Sequence, residues 1–299
     1  MSVRPDLDAL SARLPPRPLT RFAPSPTGYL HLGHVVNAIY VWGLARALGG
    51  RVLLRIENHD RLRSRALYET ALLDDLAWLG FAADAGPVRQ LDDPAPYNEA
   101  LARLARSGHV YACDCSRKDI AAAARTSPGV EVPYNGRCRD RALADADLRG
   151  VRVEIAPGEE RFVDGIRGMQ RQEPAAQCGD LLVRDRDGFW TYQFAVTVDD
   201  VRHGVDLVVR GEDLLSSTGR QIRLARMLGR EQPPVYVHHG LVLKRTGEKL
   251  SKSSGDTGVR ELRAAGMGPA EVIGRAAAAC GLLRGVRPVD ADAVPGLFA

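Results

Sequence analysis

The chain has 299 residues, enough for one large domain or two ordinary ones, each with its own core. A composition that is 45% hydrophobic and 26% charged is ordinary for a soluble globular protein. A net charge of +4 permits a nucleic-acid partner without requiring one; no apolar stretch reaches membrane-spanning length, and five unevenly clustered cysteines point to a reducing cytoplasm rather than a disulfide framework.

Residues 1–18 carry charges, Pro15, Pro16 and Pro18, and no apolar signal core, so they read as a loose N-terminal arm. A short strand is expected over Leu19 to Ala23. From Leu32 to Leu48 the apolar positions Val35, Val36, Ile39, Tyr40, Trp42, Leu44 and Leu48 predict a mostly buried helix stopped by Gly49-Gly50. The branched run Arg51–Ile56 predicts the next strand. Strand, helix and strand in that order make a βαβ unit and imply a parallel sheet, an α/β fold with ligands beyond the carboxyl ends of the strands.

A helix is predicted over Ser64–Leu79, with Leu67, Ala71, Leu72, Leu76 and Leu79 on one side. Another runs over Pro94–Ser107, with Asp93 as N-cap and Gly108 as stop. Residues 111–180 lose periodicity, are rich in arginine, and hold Cys113, Cys115 and Cys138, so they read as an inserted subdomain. Leu181–Tyr192 predicts a hairpin turned at Asp187-Gly188, Phe194–Val198 a further apolar strand, and Val205–Val209 another. Ser216, Ser217 or Thr218 would cap a helix ending at Leu228, and the tail after Val259 reads as helical.

Chemistry concentrates in Arg21–His34, where a Pro-, Ser- and Gly-rich turn leads to His31 and His34 at the mouth of the buried helix. A helix N-terminus offers unpaired N–H groups and a positive dipole end, a natural seat for phosphate. His-x-x-His alone is more often structural. A second basic motif, Lys249-Leu250-Ser251-Lys252-Ser253, strengthens the functional reading, although alone it would pass for a solvated loop. Arg21 and Arg210 can each grip a carboxylate bidentately; the lesser alternative for Glu57 or Arg210 alone is a strand-end salt bridge. Three cysteines within residues 113–138 favour a metal over a disulfide, though Cys113-x-Cys115 is not the usual CxxC spacing. His109 is a lesser candidate ligand, and Cys178 and Cys280 read as buried residues.

Pro24-Ser25-Pro26-Thr27-Gly28, Arg55-Ile56-Glu57, Val209-Arg210-Gly211-Glu212-Asp213-Leu214 and Lys249-Leu250-Ser251-Lys252-Ser253 occur in that order. Together with the histidine pair, they resemble the signatures of class I aminoacyl-tRNA synthetases, as glutamyl-tRNA synthetases carry them, over about residues 19–255. Within that family the chain looks most like the short glutamyl-Q tRNA(Asp) synthetase paralogues. The resemblance implies a Rossmann-like catalytic domain in two halves (19–110 and 181–240), a zinc-bearing insert (111–180), and a lysine-motif loop with a helical tail (241–299) and no anticodon-binding domain. It implies an ATP site at His31, His34, Lys249 and Lys252, with His31, His34 and Lys252 catalytic. It implies a glutamate site at Arg21, Phe22, Ala23, Pro24, Ser25, Glu57, Tyr192 and Arg210. One structural zinc would be held by Cys113, Cys115, Cys138 and the Tyr134 oxygen.

The activity so implied is tRNA-independent activation of L-glutamate with ATP and magnesium, then transfer to the queuosine base at the wobble position of tRNA(Asp), by a cytoplasmic monomer that uses no membrane. The alternatives are a truncated glutamyl-tRNA synthetase charging the terminal ribose, a silent tRNA-binding paralogue, and a different small-acid adenylating ligase. Two departures from the family pattern stand out: Asn58 where relatives usually carry aspartate, and a long alanine-rich stretch at residues 121–132.

Overall fold

The computed structural model describes residues 4–124, 131–144, 149–242 and 258–299. A seven-stranded sheet runs in the order β3 (Ala85–Arg89), β2 (Arg51–Ile56), β1 (Leu19–Phe22), β9 (Leu207–Gly211), β10 (Val235–His239), β6 (Glu160–Asp164) and β7 (Gly168–Gln172). All neighbours are parallel except β6 and β7. A second sheet, antiparallel, joins β4 (Val110–Cys113), β5 (Gly150–Val153) and β8 (Leu181–Arg184).

The expected βαβ unit is present. Between β1 and β2 lies α2 (Leu32–Ala47), whose residues from Val35 to Ala45 are nearly all buried, and Gly49 ends the turn beyond it at φ 65°. Such a helix shows little amphipathicity because its whole circumference is covered. On one side it meets the sheet; on the other it meets α10 (Pro269–Ala279) and the 3-10 turn Ala291–Leu297, with Phe298 edge-on to Tyr40 at 5.2 Å. Helix α3 (Ala66–Leu79) buries Leu72, Leu76 and Leu79, whereas Leu67, expected on the same face, is 65% exposed. Helix α4 (Ala95–Arg106) starts with Asp93 Oδ1 accepting the Ala95 N–H at 2.9 Å.

Four expectations need correction. The N-terminal segment is not loose: α1 (Leu7–Ser11) buries Leu10 in the main core, and Arg4 donates to the Leu282 carbonyl at 2.9 Å. Residues 111–180 do not form one inserted unit, because β6 and β7 extend the large sheet while β8 completes the small one. The hairpin at Gly188 (φ 82°) closes through an isolated bridge, Arg184 to Trp190, rather than a full ladder. The segment beyond it is not a strand but α7 (Tyr192–Arg202). Residues Phe194 to Asp200 are buried, and the mainly apolar stretch Phe194–Val198 is too short to tell a buried helix from a buried strand. Further helices are α5 (Arg117–Ala124), α6 (Pro174–Cys178), α8 (Thr218–Met227) and α9 (Val259–Ala264). Among the described residues, no helix is long and apolar enough to cross a membrane.

Candidate active site

Strand β1 is flanked by β2 on one side and by β9 on the other, so the chain changes its direction of winding there. Crevices at such a switch point, beyond the carboxyl ends of the strands, are where open α/β sheets place ligands. A cavity of about 500 Å³ opens at that point. Its walls include Arg21 and Ala23 from the end of β1, Glu57 from the end of β2, Arg210 from β9, His239 from β10, and His31 and His34. Tyr192 at the start of α7 also lines it. An adjoining recess is lined by Phe22, Pro24 and Ser25, and shares Glu57, His34 and Tyr192 with the main cavity.

The histidine pair forms a reciprocal cap. His31 is the N-cap of α2, and its Nδ1 accepts the Gly33 N–H at 3.1 Å. His34 Nδ1 in turn accepts the His31 N–H at 3.1 Å. Any side chain at Gly33 would meet the His31 ring, with a Cβ only 2.9 Å from its Cε1. Because both Nδ1 atoms accept, each neutral ring carries its proton on Nε2 and offers that N–H as a donor.

One ionic network lies beneath the cavity. Asp200 Oδ1 accepts from Arg21 Nε at 3.1 Å and from Arg55 Nη1 at 2.7 Å, and Arg55 Nη2 donates to Glu57 Oε1 at 2.9 Å. Burial pushes the Asp200 carboxyl up, but the two guanidiniums outweigh it and hold it at about 2. Neighbouring Asp199 accepts from Tyr97 and Gln90 at 2.9 and 2.7 Å, anchoring α7 to β3 and α4. Glu57 is thus a salt-bridged residue as well as a cavity wall. Burial and the Glu57 charge both raise the Tyr192 phenol, which therefore stays a neutral donor.

Arg210 is held differently, by His238 Nε2 at 3.0 Å, Gln221 Oε1 at 2.7 Å and Thr218 Oγ1 at 2.8 Å. Of the three residues expected to cap α8, Thr218 serves this guanidinium and Ser217 is the N-cap, its hydroxyl accepting from Gln193 Nε2 at 2.9 Å rather than from the helix's own N–H groups. Asn58 Oδ1 accepts the Leu91 N–H at 3.0 Å, tying the loop after β2 to the end of β3.

The cysteine cluster sits apart, on the small sheet. The sulfurs of Cys113, Cys115 and Cys138 lie within 4.8 Å of one another, with Cys115 and Cys138 at 3.5 Å. The Tyr134 hydroxyl is 3.5 Å from Cys113 Sγ and 3.7 Å from Cys115 Sγ. A tetrahedral zinc with Zn–S bonds of about 2.3 Å needs sulfurs roughly 3.8 Å apart, so these residues fit a metal ion. Burial opposes ionisation of Cys113, but its hydrogen bond with Tyr134 and the one donated by Arg152 hold its thiol below the ordinary value. His109 is not part of the cluster. Cys178 is buried and Cys280 half-buried, and burial raises both thiols to about 11.

The cavity and its adjoining recess thus bring together Arg21, Phe22, Ala23, Pro24, Ser25, His31, His34, Glu57, Tyr192 and Arg210. Lys249 and Lys252 lie outside the described residues. The chain resumes beside the histidines, with Gly258 bridged to His31 and the Val259 N–H donating to Leu30 O at 3.0 Å. Sequence reasoning gave no site role to Arg55, Asp164, Asp199, Asp200, Thr218, Gln221 or His238. Arg55 stood in a quoted motif, Thr218 was read only as a cap, and a further local signal was the pair of acidic residues closing an apolar run at Asp199-Asp200.

The family model for tRNA synthetases class I (E and Q), catalytic domain, matches residues 19–277, and the chain belongs to that family of ligases. Within it, the chain falls with proteins named glutamyl-Q tRNA(Asp) synthetase. That of Rhodobacter capsulatus is 41% identical over 274 residues, covering 85% of this chain and 98% of the relative. That of Pseudomonas aeruginosa strain LESB58 is 39% identical, covering 92% and 94%. A glutamate tRNA ligase from Elizabethkingia meningosepticum, solved in complex with its amino acid, matches with TM-score 0.77 at 25% identity, over 94% of this chain and 64% of that one. Glutamate-tRNA synthetase from Elizabethkingia anophelis gives TM-score 0.70 at 27% identity, over 80% and 53%. This chain therefore spans between half and two thirds of those solved synthetases.

Proposed function

We propose that this chain activates L-glutamate with ATP, without tRNA, and transfers it to the queuosine base at the wobble position of tRNA(Asp). The observation that carries the reading is the cavity at the β1–β9 switch point, where Arg21, Glu57, Tyr192 and Arg210 face the histidine-capped helix. Relatives named for that reaction, similar over nearly their whole length, support the choice of acceptor.

In the first step an α-carboxylate oxygen of glutamate attacks the α-phosphorus of ATP, the bond to the β-phosphate oxygen breaks, and pyrophosphate leaves with its magnesium. Charge builds on the phosphates, so preorganised donors lower the barrier. His31 and His34 supply Nε2–H donors and the α2 N-terminus adds its dipole. Lys252, with Lys249 second, is assigned to the leaving pyrophosphate. Arg210 takes the side-chain carboxylate, Glu57 the α-ammonium, and the Tyr192 hydroxyl adds a hydrogen bond. Arg21 and Ser25 complete the polar wall, and Phe22, Ala23 and Pro24 bring backbone against the substrate. In the second step a nucleophilic group of the queuosine base attacks the adenylate carbonyl, AMP departs, and the nucleophile loses its proton.

A zinc ion bound by Cys113, Cys115, Cys138 and Tyr134 would supply structural cross-linking of the small sheet and takes no part in either step. The protein is read as a cytoplasmic monomer. Transfer is tested with labelled glutamate: label should reach tRNA(Asp) bearing queuosine and not tRNA(Asp) lacking it. Equal labelling of both, or labelling of the terminal ribose, would refute the acceptor.

A further inference from the structure

Arg210 differs from the other arginines beneath the cavity in its partners. Arg21 and Arg55 are both paired with the Asp200 carboxylate. Arg210 is anchored by His238, Gln221 and Thr218, and among the described residues no carboxylate lies within ion-pair distance of it. A guanidinium whose plane is fixed by neutral acceptors keeps its full charge for a ligand, which suits a carboxylate and disfavours an amide.

His238 is the chemically decisive anchor. It is wholly buried on β10. Arg210 Nε–H can only donate, so His238 Nε2 must present its lone pair. The ring proton then sits on Nδ1 and is donated to Asp164 Oδ2 at 2.6 Å. Asp164 is itself fixed from the other side, with Oδ1 accepting the N–H groups of Ile166 at 3.0 Å and Arg167 at 2.8 Å. A reversed tautomer would set two N–H donors against each other and turn Arg210 out of plane.

We propose that His238 is a positioning residue for Arg210, with its tautomer set by Asp164, and that this Asp164–His238–Arg210 chain makes the cavity select a substrate with a side-chain carboxylate over the corresponding amide. The proposal rests on the reading that the cavity binds glutamate. It adds how that preference is built, from two buried residues that do not touch the substrate.

The test joins one spectrum and one set of kinetics. Long-range ¹H–¹⁵N correlation on the unaltered protein should show His238 as the Nδ1–H tautomer. In Asp164→Asn the amide N–H₂ faces Nδ1 and drives the proton to Nε2. Glutamate-dependent pyrophosphate exchange should then show KM for glutamate raised about tenfold or more. The accompanying change in kcat should stay within about threefold, and the preference over glutamine should narrow. His238→Phe should behave likewise, while His238→Gln, which restores an acceptor near Nε2, should recover much of the loss. An Nε2–H tautomer in the unaltered protein, or a folded Asp164→Asn enzyme with unchanged KM and selectivity, would overturn the proposal. If the Asp164→Asn variant fails to fold, the spectrum and the Phe/Gln comparison at His238 decide. Absence of glutamate-dependent exchange in the unaltered protein would instead remove the functional reading, a result visible before any variant is made.

Discussion

Nδ1 of His34 accepts the backbone N–H of His31 at 3.1 Å, so the second histidine caps the helix in which it stands. Capping uses Nδ1 and the proposed phosphate contact uses Nε2–H, which makes the two roles separable. Asparagine presents its side-chain oxygen near the Nδ1 position and is itself a favoured capping residue. His31→Asn or His34→Asn should therefore leave stability within about 1 kcal/mol of the parent. The same changes should lower kcat about 10²–10³-fold, as loss of an oxyanion-type donor does. Calorimetric unfolding and exchange kinetics on the same samples check the pair, and equal loss of both properties would contradict the separation.

Asp200 should control acid stability. Its carboxyl is held at about 2, below the value of about 3.9 for an unfolded aspartate, so its stabilising contribution is fully present above pH ~4 and is lost as pH falls toward 2. The shift corresponds to about 2–3 kcal/mol. Asp200→Asn leaves Arg21 and Arg55 without their shared anion and should cost about 3–5 kcal/mol at neutral pH. It should also flatten the pH dependence of unfolding between about pH 4 and 2. Urea unfolding across that range measures both effects.

These contacts show where sequence reading stopped. The β1–α2–β2 unit was legible because Val35, Ile39 and Leu44 recur on one element and Gly49 punctuates its end. Helix α7 was not, since its apolar run Phe194–Val198 is as short as a strand, whereas α2 runs for 16 residues, and with it went the placement of Asp199 and Asp200. Leu10 was hidden among charges and prolines although it packs in the main core. His238 meets Asp164 across 74 positions and Arg210 across 28, separations at which one sequence gives no sign of contact. By contrast, the cavity residues were named through the family resemblance that ordered motifs carry; Arg21, Glu57 and Arg210 lie at the ends of strands that a parallel sheet brings together, while Tyr192 opens α7.

Asp75 carries an opposite pH signature. It is 2% exposed, and among the described residues its Oδ2 has no hydrogen-bond partner. Burial and the neighbouring Asp74 raise its carboxyl to about 6. The folded state thus favours the protonated form, and stability falls as pH rises from about 4 to about 6 and stays reduced above that. Asp75→Asn should stabilise the protein at pH 7.5 by about 1–3 kcal/mol and have little effect at pH 4. Thermal unfolding at the two pH values measures this.

The cysteine cluster should bind one zinc per chain, measured by elemental analysis of the purified protein. Cys115→Ser should abolish binding, whereas Tyr134→Phe should weaken it and leave three sulfur ligands. Chelation should lower the unfolding temperature, because the metal joins the ends of β4 to the segment carrying Cys138. Activation of glutamate should survive chelation better than transfer to tRNA, since the cluster lies outside the cavity lined by Arg21, Glu57 and Arg210.

The most direct measurement is ATP–pyrophosphate exchange by the unaltered protein with magnesium and no tRNA, comparing glutamate with glutamine and aspartate. Exchange that depends on glutamate and is at least about a hundredfold weaker with glutamine is the expected result, given a charged Arg210 facing the side-chain carboxylate. No exchange with glutamate, or exchange that requires tRNA, would contradict the proposed activation.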